Sequence, residues 1–172
     1  MAEGIGLPAI ERFTLLEEDE RVARLEAALP AILAACAGED DPIALQATVA
    51  CLLYETLVQS NWCGFYRRVG ERTLVVGPYQ GSMGCLRIDF GRGVCGKCAT
   101  TRQTQLVHDV HAFPDHIACD ARSRSEVVVP VVRSGELEAV LDIDSPHVGG
   151  FSAREAALLE RLVRDVLGAG DG

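Results

Sequence analysis

Three kinds of side chain in this sequence can do chemistry near neutral pH: thiols, imidazoles and clustered carboxylates. There are seven cysteines, Cys36, Cys51, Cys63, Cys85, Cys95, Cys98 and Cys119. Cys119 closes the run Pro114-Asp115-His116-Ile117-Ala118-Cys119, which can form one short helical turn whose free amide groups point toward an anion. A thiol held there has a lowered pKa. The plainer alternative is a small core residue, since free cysteine is among the most buried residue types. Cys95-Gly96-Lys97-Cys98 has the spacing of a redox dithiol, with Lys97 and a helix start able to stabilise a thiolate. The early strand and βαβ context of a thioredoxin-type domain are missing around it, which leaves Cys98 as a buried side chain on a short helix.

The carboxylates form a second constellation. Leu141-Asp142-Ile143-Asp144 alternates, so both aspartates share one face of a strand, and Glu126 at the start of the neighbouring strand can join them. Three carboxylates in one place cannot all ionise freely, so at least one is expected to keep a proton it can donate. Taken alone, they also fit exposed acids at strand ends. His108, His111, His116 and Cys119, together with Cys95 and Cys98, have the side chains of metal ligands, but their spacing matches none of the common zinc modules. Gly91-Arg92-Gly93-Val94-Cys95-Gly96 spells GxGxxG, yet the downstream chain reads as an antiparallel hairpin rather than βαβ units, so a structural turn is expected in place of a nucleotide site.

These residues need elements to hold them. Residues up to about Gly38 read as helical, with a stripe of Leu25, Ala28, Leu29, Ile32 and Leu33 despite Pro30. Asp41 and Pro42 start a second helix that ends near Ser60. Asn61 to Val69 is a strand with Trp62, Gly64 and Tyr66 on one side and Cys63 and Phe65 on the other. Thr73 to Val76, Cys85 to Phe90 and Gln105 to Val110 are further strands, with a glycine-rich loop over Gly77 to Gly84 and a short helix within Gly91 to Thr101. Glu126 to Val132 and Leu137 to Ile143 form a hairpin. Ser152 and Glu155 open a last helix with a capping box. Helices at both ends around a run of strands predict an α+β fold, an antiparallel central sheet with N- and C-terminal helices packed on one face.

The 172 residues, 48% hydrophobic and 24% charged, suit one domain with its own core. A formal charge of −9 argues against nucleic acid as a partner. No apolar run approaches the roughly 18 to 20 residues that cross a bilayer, so no membrane partner is expected and a cytoplasmic location is. An odd number of cysteines argues against a disulfide framework of the secreted kind.

Six strings then occur in order: Asn-Trp-Cys-Gly-Phe-Tyr at 61–66, Gly-Pro-Tyr-Gln-Gly at 77–81, Gly-Arg-Gly-Val-Cys-Gly at 91–96, Asp-Val-His-Ala-Phe-Pro-Asp-His-Ile-Ala-Cys-Asp at 109–120, Ser-Glu-Val-Val-Val-Pro at 125–130 and Leu-Asp-Ile-Asp-Ser at 141–145. Over about residues 40 to 167 the chain resembles the free methionine-(R)-sulfoxide reductases, which are GAF domains. The chain is thus read as a helical segment at 1–38 packed on a GAF domain at 39–168 that carries the active site, with a disordered tail expected at 169–172. The resemblance implies that Cys119 attacks the sulfoxide of free L-methionine-(R)-sulfoxide, that Cys85 resolves the sulfenic acid as a disulfide, and that Cys95 is a secondary thiol. Glu126, Asp142 and Asp144 supply the proton and hold the substrate ammonium. Backbone amides near Ile117 and Ala118 take its carboxylate, and Trp62 and Tyr66 line its methyl end.

Resolution by Cys85 requires a moving segment, for which the glycines at 77, 81 and 84 are the natural hinges. Recycling falls to the external thioredoxin and NADPH system, no metal or organic cofactor is required, the setting is oxidative stress, and a homodimer is expected. Cys98 departs from the family's usual small residue and opens an extra disulfide route. The rival readings are a small-molecule-binding GAF sensor module without catalysis and a general thiol peroxidase.

Overall fold

The structure, a computed structural model, describes residues 6–114 and 121–168. Among the described residues, four helices, α1 (Glu18–Cys36), α2 (Pro42–Thr56), α3 (Gly93–Thr101) and α4 (Ala153–Leu167), accompany six strands. The strands are β1 (Trp62–Val69), β2 (Thr73–Gly81), β3 (Arg87–Asp89), β4 (Gln105–Val107), β5 (Ser125–Arg133) and β6 (Glu136–Ser145), with a 3-10 turn at Val110–Ala112. They form one sheet in the order β3-β2-β1-β6-β5-β4, antiparallel throughout. The expected tail at 169–172 lies outside the described residues.

Period-two alternation divides the apolar side chains between the two faces of this sheet. Cys63, Phe65, Val127, Val129, Leu141 and Ile143 point under α1, α2 and α4 and make the larger core with Leu25, Leu53 and Leu159. Each such residue, fully buried, contributes roughly 1.5–3 kcal/mol. Trp62, Tyr66, Val128 and Val140 point the other way and pack with Val94, Cys95, Cys98 and Ala99 of α3. The terminal helices thus cover one face, as the pattern predicts, and α3 covers part of the other.

Local signals act where expected. The Asp41 carboxylate accepts from the amides of Ile43 and Ala44, with Pro42 at the first helical position, a cap typically worth about 1 kcal/mol. Ser152 and Glu155 make the reciprocal capping box of α4. Ser134 and Gly135, both at positive φ, close the β5–β6 hairpin as a two-residue turn.

Five expectations need correction. The N-terminal segment is helical only from Glu18; residues 6–17 are irregular because tertiary bonds hold them, the Arg12 guanidinium donating to the carbonyls of Tyr54 and Ser60 while lying over the Tyr54 ring. Helix α2 stops at Thr56 rather than near Ser60. Gly77 to Gly81 is not a loop but the second half of β2: a Cβ on Gly77 would come within 3.1 Å of Phe65 O, and one on Gly81 within 2.4 Å of Asn61 O. Those glycines permit close strand approach, so only the link between β2 and β3, with Gly84 in it, remains as a candidate hinge. Cys85 lies in that link, because β3 pairs with β2 only over Arg87–Asp89. Similarly, β4 ends at Val107.

Candidate functional site

The face beneath α3 carries the polar groups. The sheet register sets Trp62 beside Asp144 and Asp144 beside Glu126, with Gly64, Asp142 and Val128 forming the next row. Side chains of all these residues share one face, by the same alternation that sends Leu141 and Ile143 into the core. Trp62, Tyr66, Cys95, Glu126 and Asp142 are buried, while Asp144 is half-buried.

Helix α3 brings a thiol down onto the carboxylates. It starts at Gly93, which adopts φ 60°, and a Cβ on Gly96 would come 2.4 Å from Asp89 O, so only glycine lets the helix sit this close to the end of β3. Cys95 Sγ then donates to Glu126 Oε1 at 3.9 Å. Asp142 shares side-chain hydrogen bonds with Cys95 and Glu126, and one ligand-type atom from each of the three lies within 4.8 Å of the others. Asp142 Oδ1 and Trp62 Nε1 are buried with no hydrogen-bond partner among the described residues. An unsatisfied buried acceptor and donor on one face cost about 1–3 kcal/mol each unless something binds there.

Burial dominates the electrostatics. It pushes the Glu126 carboxyl well above the usual carboxylate range, and the adjoining Asp142 and Asp144 charges raise it further. Burial pushes Asp142 up to about 6, against the hydrogen bonds from Cys95 and Glu126, which favour its charged form. Of the two, Glu126 is the carboxyl pushed toward holding a proton and Asp142 the one whose charged form its hydrogen bonds favour, so one functional group supplies both an acid and an anion. Cys95 is held as a thiol by burial and by the Asp142 and Glu126 charges. Cys95, Glu126 and Asp142 also form the donor set of the described residues that could hold a cation, although three donors are one short of a closed structural zinc site. His108 is not among them; its ring packs on Gly149, where a Cβ would approach to 2.6 Å.

Aromatic rings wall the site. Trp62 stacks on Tyr66 at 5.5 Å and on Tyr79 at 5.2 Å between ring centroids. Tyr79 is a wall residue that sequence reasoning missed. Its signal was the glycine opposite: Gly64 pairs with Tyr79, and a Cβ there would lie 2.2 Å from Tyr79 Cβ. The backbone before Cys85 closes over the same rings, a Cβ on Gly84 coming 2.7 Å from Tyr66 Oη and 3.3 Å from Trp62 Cζ2.

Of the predicted site residues, the structure gathers Trp62, Tyr66, Cys95, Glu126, Asp142 and Asp144 on one face, with Cys85 packed against the same apolar cluster. Ile117, Ala118 and Cys119, with His116, lie outside the described residues. The chain on either side of them is fixed: Asp109 caps the 3-10 turn, Phe113 packs under Lys97, and Val110 N donates to Arg124 O at 2.8 Å. Cys85 is disulfide-bonded, whereas Cys36, Cys51, Cys63, Cys95 and Cys98 are free. The CxxC pair is thus reduced and buried, and the GxGxxG string leads through α3 into β4, which pairs antiparallel with β5 rather than completing a βαβ unit.

Comparison with known proteins gives the same frame. The GAF domain family matches residues 41–169. The free methionine-R-sulfoxide reductase of Escherichia coli is 47% identical over 127 residues, covering 74% of this chain and 76% of that protein. A crystal structure of free methionine-R-sulfoxide reductase from Neisseria meningitidis in complex with its substrate superposes with a TM-score of 0.82 at 39% identity, over 91% of this chain and 92% of that one. The fRMsr of Staphylococcus aureus in complex with substrate gives a TM-score of 0.79 at 36% identity, over 89% and 96% of the two chains.

Proposed function

Because this chain belongs to the free methionine-R-sulfoxide reductase family of GAF domains, we propose that it reduces free L-methionine-(R)-sulfoxide to methionine through a sulfenic acid and a disulfide. The observation that carries the reading is the buried carboxyl pair Glu126 and Asp142, with the Cys95 thiol against it, on the sheet face that also carries Trp62 and Tyr66.

The Cys119 thiolate attacks the sulfoxide sulfur. Protonation of its oxygen, for which Glu126 holds the proton, lets that oxygen pass as hydroxyl from the substrate sulfur to the Cys119 sulfur. The ionised Asp142, with Asp144, attracts the substrate ammonium, and Trp62, Tyr66 and Tyr79 take its thioether end through apolar and sulfur–aromatic contact. Amides near Ile117 and Ala118 receive the carboxylate. A peptide-bound residue lacks both charges, which gives selectivity for the free amino acid. Methionine departs, Cys119 is left as a sulfenic acid, and the Cys85 thiol condenses with it, expelling water and forming a disulfide. The disulfide state of Cys85 supports its role as the resolving thiol.

A thioredoxin-type dithiol then restores both thiols by exchange, in a cytoplasmic homodimer that answers oxidative stress. The thiols carry the electrons and the carboxyls the protons, so the reaction takes no metal or organic cofactor. A sensor domain would have no use for a buried carboxyl pair and a resolving thiol on one face.

The test monitors NADPH consumption with thioredoxin, thioredoxin reductase and free L-methionine-(R)-sulfoxide. Turnover of the free R form alone, absent with the S epimer and the peptide-bound residue and lost in Cys119→Ser, is the expected result. Absence of turnover by folded, reduced protein refutes it in favour of a ligand-binding module.

A further inference from the structure

Two buried thiols on α3 have no part in the minimal cycle above. Cys95 and Cys98 stand three residues apart, are both free and buried, and lie in the cluster against which Cys85 packs. Their thiols turn to the same face of β5, Cys95 Sγ donating to Glu126 Oε1 at 3.9 Å and Cys98 Sγ to Val128 O at 3.7 Å. Helical spacing of three residues sets Cα atoms about 5 Å apart, inside the window of about 4.4–6.8 Å that a disulfide needs. The Cβ atoms, about 5–6 Å apart on a regular helix, must close to about 3.5–4.5 Å. A tightening of this first turn toward 3-10 geometry, in which residues i and i+3 eclipse, supplies that movement.

Resting on the reductase reading, we propose that Cys95 and Cys98 form a second redox couple, which takes the oxidising equivalent from the Cys85 disulfide and so gives each chain two further electrons in reserve. In the first exchange Cys95 passes its proton to Asp142 and its sulfur attacks Cys85. The bond between Cys85 and Cys119 breaks, one between Cys95 and Cys85 forms, and Cys119 departs as a thiolate. In the second, the Cys98 sulfur attacks Cys95, and Cys85 leaves, taking up the Cys98 proton. One disulfide is lost and one gained, so no outside oxidant enters. Burial pushes both thiols up, so the exchange runs through proton transfer to the adjoining carboxylate rather than from a standing thiolate. With Cys85 and Cys119 reduced again, a second sulfoxide is reduced and its oxygen leaves as water. Cys98 is fully buried, which screens the reserve from external thiols and routes its refilling through Cys85.

The experiment counts methionine formed per chain by fully reduced, desalted protein given excess free L-methionine-(R)-sulfoxide and no reductant. Two equivalents are expected from the wild type and one from Cys98→Ala. Cys98→Ser, whose hydroxyl can still donate to Val128 O, serves if the alanine variant folds poorly. Trypsin cuts after Lys97, so in the oxidised wild type the peptides Gly93–Lys97 and Cys98–Arg102 should remain linked until reduced. A wild type that stops at one equivalent with both α3 thiols still alkylatable overturns the couple and leaves the reductase standing. Two equivalents from wild type and variants alike place the second elsewhere and also overturn it. No methionine from folded, reduced wild type removes the reductase reading, and the reserve with it.

Discussion

The two faces of the sheet each bury carboxyls, and they treat them in opposite ways. On the face under α1, α2 and α4, Glu155 is fully buried and fully partnered. Arg21 donates from Nε at 3.2 Å and from Nη2 at 3.1 Å, Gln59 Nε2 donates at 3.0 Å and the Ser152 amide at 2.9 Å. On the face under α3, Glu126 and Asp142 have each other and the Cys95 thiol, and Asp142 Oδ1 has no partner among the described residues. A paired, satisfied carboxylate fixes an arrangement of elements. An unpaired one costs stability and retains a proton, which is what a reacting oxygen requires.

A crossed substitution gives the largest effects and breaks this contrast if it is wrong. Glu155→Ala strands the Arg21 charge and should cost about 3–5 kcal/mol of stability, read by denaturant unfolding, with kcat per folded molecule unchanged. Glu126→Gln should do the reverse. It removes the proton donor and lowers kcat by roughly 10²–10⁴-fold, while the midpoint of unfolding stays or rises, since the amide is neutral in the buried site without having to take up a proton. Loss of activity in Glu155→Ala beyond the unfolded fraction, or a strongly destabilised Glu126→Gln, would erase the distinction between the faces.

The contrast was half legible in the sequence. Ser152 and Glu155 announced a capping box, and the alternation at 141–144 announced two acids on one face, because both signals are local. That Glu155 also receives Arg21, 134 positions away, and that Cys95 descends on Glu126 depend on how helices dock, which no local pattern records. The same limit explains β2. Gly77, Pro78 and Gly81 read as loop residues, yet they extend a strand because Gly64 opposite leaves room for Tyr79. Residues 6–17 failed for a related reason, since their conformation is set by Arg12 reaching carbonyls at the end of α2 and beyond it.

A smaller effect comes from pH. Asp142 has a folded-state pKa raised from 3.8 to about 6, so between those values the folded state holds more protons than the unfolded chain. Stability contributed by the protonated form is fully present below the lower value and is lost as pH rises through the upper one. Relative to Asp142→Asn, the wild type should lose about 2–3 kcal/mol between about pH 4 and pH 7, measured as the difference between two unfolding series. A flat difference would mean that the carboxyl is solvated or paired, and the site face would then resemble the other.

The smallest effect concerns the segment that carries Cys85. Gly84 is not at positive φ, so alanine is acceptable to its backbone; the obstacle is the Tyr66 hydroxyl, 2.7 Å from the added Cβ, on a ring that is buried and stacked on Trp62. Since the rings cannot retreat, the link must lift, and Cys85 lifts with it. Gly84→Ala should slow the closing of the disulfide by roughly threefold to tenfold, about 1 kcal/mol of barrier, with little change in unfolding midpoint. Single-turnover quenching separates the steps: methionine release should keep its rate while loss of the free Cys85 thiol lags. If both slow together, Gly84 shapes the substrate pocket through Trp62 rather than the path of the resolving thiol.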